Sequence, residues 1–241
     1  MDVYGKSDIG TVRSANQDDI KYRKINDQVL WVVVCDGMGG VSGGEIASSI
    51  AVDEISNEFD DKLQTSNLET DIKSIMILAI SNANRKIREA AQEDPQYKNM
   101  GTTVVALVLE GRTAHIVSLG DSRAYVIDNS GINQITVDHS VVQELVDKGE
   151  ITKTEAVSYP QRNIITKALG TNPDAEPDYI DYHLRSGESI LMCTDGLTNE
   201  LSDEEIHSIV ISNIPCEIPD KLIEEANNRR GADNITAAFI I

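Results

Sequence analysis

Basic residues are scarce in this chain: 21 lysines and arginines face 40 aspartates and glutamates, a formal net charge of −19 over 241 residues. That balance opposes binding to nucleic acid or to an anionic membrane surface, because both are polyanions. The acidic runs Asp60-Asp61 and Asp203-Glu204-Glu205 fall on predicted helices or their ends and read as solvated surface. Cysteine is equally sparse. Cys35, Cys193 and Cys216 are odd in number, lack the paired spacing of a zinc site or redox motif, and read as residues of a reducing cytoplasm. None of them has arginine at the spacing of a phosphocysteine loop, where Val41, Asn199 and Leu222 stand instead, so Cys35 and Cys193 are expected to be buried strand residues. No apolar run approaches the roughly 20 residues needed to span a bilayer, and Met1 to Gly10 lacks the apolar core of a secretion signal. The sequon Asn234-Ile235-Thr236 is discounted accordingly. The phosphate-loop pattern G-x-x-x-x-G-K-[ST] and the zinc pattern H-E-x-x-H are missing as well.

What the chain does have is 40% hydrophobic residues, enough for one large domain over residues 1–241. Short Val- and Ile-rich runs at 29–35, 103–109, 114–119, 124–127, 189–194 and 235–241 read as strands. Tight connections at Glu110-Gly111-Arg112 and at Gly120-Asp121-Ser122 predict an antiparallel meander in the middle of the chain. Helical periodicity is clearest over 71–91, where Ile72, Ile75, Met76, Ala79, Ala83, Ile87 and Ala90 make one face. Residues 44–63, 202–212 and 217–229 follow the same period, and Ser202 with Glu205 spells a capping box. The region 139–188, with two short helical stretches and three prolines, reads as an inserted flap with no strong strand signal. Antiparallel sheet covered by helices is the expected class, α+β.

Two strands end alike, Cys35-Asp36-Gly37 and Cys193-Thr194-Asp195-Gly196, and Asp121 and Asp233 sit at comparable junctions. If these ends share one edge, four carboxylates converge. Like charges about 4 Å apart repel by roughly 4 kcal/mol at an effective dielectric near 20, so such a group needs a counter-cation. Only Arg123 among these turns is basic. Oxygen ligands favour magnesium, manganese or calcium over zinc. The glycine-rich stretch Gly37 to Gly44 follows a strand and precedes a helix, but a dinucleotide fingerprint would need glycine at Ser42 and an acidic strand end later. Its glycines are better read as allowing a sharp turn close to a metal site.

Seven motifs in order, Arg13 with Asn16-Gln17-Asp18, Asp36 to Gly40, Met100 to Thr103, Gly120 to Arg123, Asp138-His139-Ser140, Thr194 to Thr198 and Asp233 to Thr236, resemble those of the metal-dependent protein phosphatase family, protein phosphatase 2C type. The chain is similar to its compact bacterial single-domain members along nearly its whole length. This resemblance implies an α-β-β-α sandwich with two magnesium or manganese ions at one edge of two packed sheets. Asp36 would bridge both ions, Asp195 and Asp233 would hold the first, and the Gly37 carbonyl and Asp18, through water, the second. Asp121 with Asp195 would form a weaker third site. Arg13 would bind the substrate phosphate. The implied activity is hydrolysis of phosphoserine and phosphothreonine by direct attack of a metal-bridging hydroxide. Phosphoproteins, including those of a cognate serine/threonine kinase, would be the partners, and nothing in the sequence calls for more than a monomer.

Two positions depart from the family pattern. Val41 and Ser118 stand where similar bacterial enzymes usually carry histidine, the first a candidate for protonating the leaving group. His139 remains, with a structural hydrogen bond and a role in the site both open. These departures motivate a second reading, a phosphoprotein-binding relic without turnover, and the glycine loop motivates a third, a nucleotide-binding regulator.

Overall fold

The computed structural model describes residues 1–40, 43–65 and 71–241. In chain order it runs β1 (Val3–Asp8), β2 (Asp18–Lys24), β3 (Val29–Met38), α1 (Gly43–Thr65), α2 (Ile72–Glu93), β4 (Gly101–Thr102), β5 (Val104–Glu110), β6 (Thr113–Leu119), β7 (Arg123–Asp128) and β8 (Gly131–Gln134). There follow α3 (Val141–Asp147), α4 (Lys153–Val157), β9 (Asp178–His183), β10 (Ser189–Cys193), α5 (Asp195–Thr198), α6 (Asp203–Ser212), α7 (Ile218–Arg229) and β11 (Ile235–Ile240). One sheet has the order β1-β11-β10-β7-β8 and the other β2-β3-β5-β6-β9, with the short β4 beside β3. All pairings are antiparallel.

Three apolar layers make this an α-β-β-α sandwich. The central layer interleaves Leu30, Val32 and Val34 of β3 with Met192 and Ile190 of β10 and Val126 of β7. The alternate residues of β3, Trp31, Val33 and Cys35, face outward onto Phe59 of α1 and Met76 and Ile80 of α2. Both faces of β3 are therefore covered, which is why its sequence is continuously apolar rather than alternating. On the opposite side Leu191 and Phe239 pack on Ile206 of α6 and Leu222 of α7. Each such fully buried large side chain contributes about 1.5–3 kcal/mol. Ser202 caps α6 with the expected box, its hydroxyl accepting from Glu205 N while Glu205 accepts from Ser202 N.

Two expectations are corrected. Gly120-Asp121-Ser122 is no hairpin: β6 belongs to one sheet and β7 to the other, so the turn carries the chain across the sandwich. Adjacency of apolar runs cannot distinguish a hairpin from such a crossing. The second concerns the flap. Residues 139–177 hold α3, α4 and irregular chain, but 178–183 form β9, an edge strand paired with β6. Its half-buried sequence Asp-Tyr-Ile-Asp-Tyr-His has no continuous apolar run to announce it.

Candidate metal centre

Strand register gathers the expected ligands at one end of both sheets. Asp18 at the start of β2 lies directly opposite Asp36 near the end of β3. Cys193, ending β10, pairs with Ala237 near the start of β11 and with Arg123 at the start of β7, so Asp195, Asp233 and the turn bearing Asp121 meet there as well. Glycines let these turns touch backbone to backbone. A Cβ on Gly37 would meet Gly44 O at 2.1 Å, and one on Gly196 would meet Asn234 O at 1.9 Å. Gly37 thus seats the end of β3 against the first turn of α1, and Gly196 seats the Asp195 turn against the Asp233-Asn234 turn.

The carboxylates act on one another. Burial and then the charges of Asp18, Asp195, Asp121 and Asp233 push Asp36 well above the usual carboxylate range. Asp195, raised by burial and then by Asp233, shares a hydrogen bond with Asp36 and accepts another from Asn199 Nδ2 at 2.9 Å. Asp121 is pushed up to about 7 by burial and then by Asp195. Asp18 is also pushed to about 7 by burial, against two hydroxyls that favour its charged form: Thr236 Oγ1 and Thr194 Oγ1 donate to its Oδ2 at 2.7 and 2.8 Å. Its other oxygen, Oδ1, is buried and has no hydrogen-bond partner.

Arg13 stands across this group and donates from Nη2 to Asp233 Oδ2 at 2.7 Å, both side chains being partly exposed. The guanidinium occupies the place of a counter-cation at Asp233, and Asp233 raises the Arg13 pKa in return. Among the described residues no three His, Cys, Asp or Glu side chains close on a single point as in a finished metal cage. The chemistry of the set nevertheless fits hard divalent cations. Five carboxylates, mutually repelling and largely buried, face two guanidiniums, Arg13 bonded to Asp233 and Arg123 committed to Asp138, and the orphaned Asp18 Oδ1 lacks the donor or cation that a buried oxygen requires.

Arg13, Asp18, Asp36, Gly37, Asp121, Asp195 and Asp233 are thus all brought to one end of the sandwich. Several supporting residues carried no expected role. Asn234 is buried and ties the loop around Arg13: its Oδ1 accepts from Gln17 N at 2.8 Å, and its Nδ2 donates to Ile9 O at 2.9 Å and Ala15 O at 3.0 Å. Asp36 N donates to Thr103 Oγ1 at 3.0 Å, and Thr103 Oγ1 is 2.8 Å from Ser122 Oγ. Asn234, Thr194, Thr236 and Thr103 stand inside the sequence motifs, whereas nothing in the sequence marked Asn199. Ser118 is buried on β6, and Val41 lies outside the described residues.

Gly40-Val41-Ser42-Gly43-Gly44 also satisfies G-x-S-x-G, the spacing of a serine nucleophile. Such a serine needs a histidine base. All four histidines are engaged elsewhere, His115 with Tyr179 and Asp181, His139 with Gly120, His183 with Thr113 and His207 with the Asp128 carbonyl.

Beside Asp121 and Asp195 opens a groove of about 640 Å³ that runs between α3 and α4 on one wall and α5 and α6 on the other. Both signs of charge line it, with Lys153 and Arg162 from the flap side and Asp203 and Glu204 opposite.

Comparison with known proteins agrees with this geometry. The sequence pattern of the family described as Protein phosphatase 2C matches residues 5–221. The chain is 36% identical to Protein phosphatase PhpP of Streptococcus pneumoniae, over 100% of this chain and 97% of the relative. Among solved structures it resembles the S. agalactiae serine/threonine phosphatase, at 37% identity and a TM-score of 0.92, covering 99% of this chain and 98% of that one. It also resembles the catalytic domain of the serine threonine protein phosphatase PstP in complex with two manganese ions, at 32% identity and a TM-score of 0.85, covering 99% and 96%.

Proposed function

The chain belongs to the protein phosphatase 2C family of serine/threonine protein phosphatases, and from that premise we propose that it dephosphorylates phosphoserine and phosphothreonine with two divalent cations, magnesium or manganese. The observation that carries this reading is the convergence of five buried or half-buried aspartates on one end of the sandwich, of which only Asp233 is directly paired with an arginine, Arg13. Asp36 would bridge the two cations, Asp195 and Asp233 would complete the first position, and the Gly37 carbonyl with Asp18 the second. Asp121 with Asp195 would hold a weaker third. Bound there, the cations supply an acidified water for in-line attack on phosphorus and positive charge for the phosphoryl oxygens.

The remaining work falls to side chains of the protein. Thr194 and Thr236 hold Asp18 through one oxygen, which leaves the buried Oδ1 without a protein partner and available to a ligand. Arg13, bonded to Asp233 at the edge of this group, would bind the substrate phosphate, where paired N–H donors match two oxygens. A phosphate dianion enters an acidic protein because the charge it meets is local. With Val41 in the place of a histidine, no side-chain acid is assigned to the leaving alkoxide, and solvent water within the site serves. Alkyl phosphates should then lag aryl phosphates, and Val41→His should narrow that gap.

We place residues 1–241 in one domain and expect a cytoplasmic monomer whose phosphoprotein substrates include those of a partner serine/threonine kinase. No helix among the described residues is long and apolar enough to cross a membrane. The deciding experiment is initial-rate hydrolysis of a phosphothreonine peptide with manganese or magnesium, against a chelator and against Asp36→Asn. Turnover that needs metal and collapses in the variant is expected. Folded, metal-loaded protein with no turnover would instead favour a phosphoprotein-binding role.

A further inference from the structure

Asp121 sits on a three-residue bridge between two sheets, from β6 to β7. Its turn is gripped from one side by the consecutive residues Asp138 and His139. The Asp138 carboxylate receives Arg123 Nε at 3.0 Å to each oxygen and Nη2 at 2.6 Å, and Gln134 Nε2 donates to Oδ1 at 2.8 Å. His139 takes the other end of the turn twice. Its backbone N donates to Gly120 O at 2.8 Å, and its ring Nδ1 accepts from Gly120 N at 3.1 Å.

That second bond fixes the chemistry of the ring. A nitrogen that accepts from an amide carries no proton, so the neutral imidazole must be protonated at Nε2. Nε2 is buried 3.3 Å from Asp178 Oδ2, outside hydrogen-bond geometry but close enough for the carboxylate to favour the N–H on that side. The His139 side chain is 9% exposed, and burial lowers its pKa, in keeping with an uncharged acceptor. The same residue is also the foot of the flap. Thr166 N donates to His139 O at 2.8 Å, and the next residue, Ser140, caps α3 by accepting from Gln143 N at 3.2 Å.

We infer that His139, as the Nε2–H tautomer, is a positioning residue for Asp121: through Gly120 it sets where that carboxylate stands and joins it to the base of the flap. The inference rests on the phosphatase reading, in which Asp121 is a ligand. Gly120 has φ +113°, and a Cβ there would lie 2.6 Å from Thr103 Cγ2, so this end of the turn has no side chain with which to hold its shape, whereas Ser122 Oγ ties the other end to Thr103 Oγ1. Outer partners of metal ligands characteristically change affinity by about 10- to 100-fold when removed.

The test compares wild type with His139→Leu, which has no acceptor, and His139→Asn, whose Oδ1 can take the place of Nδ1. In metal-free protein, hydrogen exchange of the Gly120 amide should quicken at least about tenfold in the leucine variant while the β5 and β10 amides stay protected. Manganese titrated by calorimetry should lose about tenfold in affinity at its weakest site. The asparagine variant should recover most of both losses. Nitrogen-15 shifts of wild-type His139 should report an unprotonated Nδ1. Wild-type manganese affinity in His139→Leu, equal losses in both variants, or an Nδ1–H tautomer would each overturn the inference. If His139→Leu does not fold, the wild-type tautomer and the asparagine titration decide the matter. Failure of the phosphatase reading has a different signature, namely no metal-dependent hydrolysis by wild type while the tautomer and the Gly120 amide behave as described.

Discussion

Replacing Gly196 by alanine tests whether the site depends on the backbone contact between its two C-terminal ligand turns. The added methyl would sit 1.9 Å from Asn234 O and 3.0 Å from Asn234 C. Carbon and oxygen at rest need more than about 3 Å, so the turns must part by roughly 1 Å or more. No rotamer change relieves this, because the obstructing atoms are main chain. The displacement falls directly between Asp195 and Asp233. Overpacking of this kind costs about 1–3 kcal/mol, and in a chain of this size each kcal/mol lowers Tm by about 2–4 °C. A shift of about 1 Å in a catalytic group can cost about 100-fold in rate. The variant should therefore fold with a modestly reduced Tm, yet lose about two orders of magnitude in kcat/KM and bind manganese more weakly by calorimetry. Retention of wild-type rate and metal affinity in a folded Gly196→Ala protein would refute the claim that this contact sets the ligand geometry.

Three further outcomes are expected. Asp18 and Asp121, each pushed to about 7 mainly by burial, bind protons more tightly folded than unfolded. Their contribution to stability is complete below the unfolded value of 3.8 and is lost as pH rises through about 7. The Tm of metal-free protein should therefore fall between about pH 4 and 7 and be restored by manganese, and a flat metal-free profile would contradict the carboxylate clustering. Asn234→Ala removes three hydrogen bonds at about 1 kcal/mol each and frees the loop around Arg13, so Tm should drop and KM for a phosphopeptide should rise, as steady-state kinetics would show. Thiol titration should find one reactive cysteine per native chain, the exposed Cys216, because Cys35 and Cys193 are buried and burial pushes Cys193 up to about 12. Modification at Cys216 should leave turnover intact, and loss of activity in step with labelling would contradict this.

The limits of the sequence follow a physical line. The runs at 29–35, 104–109, 190–193 and 235–240 announce strands because they lie inside a sheet and are covered on both faces. Apart from the two-residue β4, the strands without such runs, β1, β2, β8 and β9, are the outer edges of the two sheets. Edge strands carry charge that deters pairing with other chains, as Lys21, Arg23 and Lys24 do on β2, and that charge erases the apolar signal. Asp36 and Asp195 were legible from residues alone, since each follows a buried strand. Asp18 was legible only by family resemblance, because it opens an edge strand whose register against Asp36 no periodicity reveals. The crossing at Gly120 to Ser122 was misread for a related reason: a three-residue link looks the same whether or not it changes sheets.

The position of β11 has a consequence for how the molecule is made. Residues 235–240 lie inside their sheet, between β1, more than 200 positions earlier in the chain, and β10. Until residue 240 has left the ribosome, β1 and β10 have nothing to pair with across that gap, and Asp233 cannot join Asp36. The first strand must wait, with its edge open, until all the residues between it and β11 have been made. Such long-range closure slows folding and exposes unpaired backbone while it is pending. A nascent chain halted short of β11 would thus hold most of the sequence motifs, with Asp18 opposite Asp36 but Asp233 unplaced, so phosphatase activity would arise only once β11 is in its sheet and not by degrees.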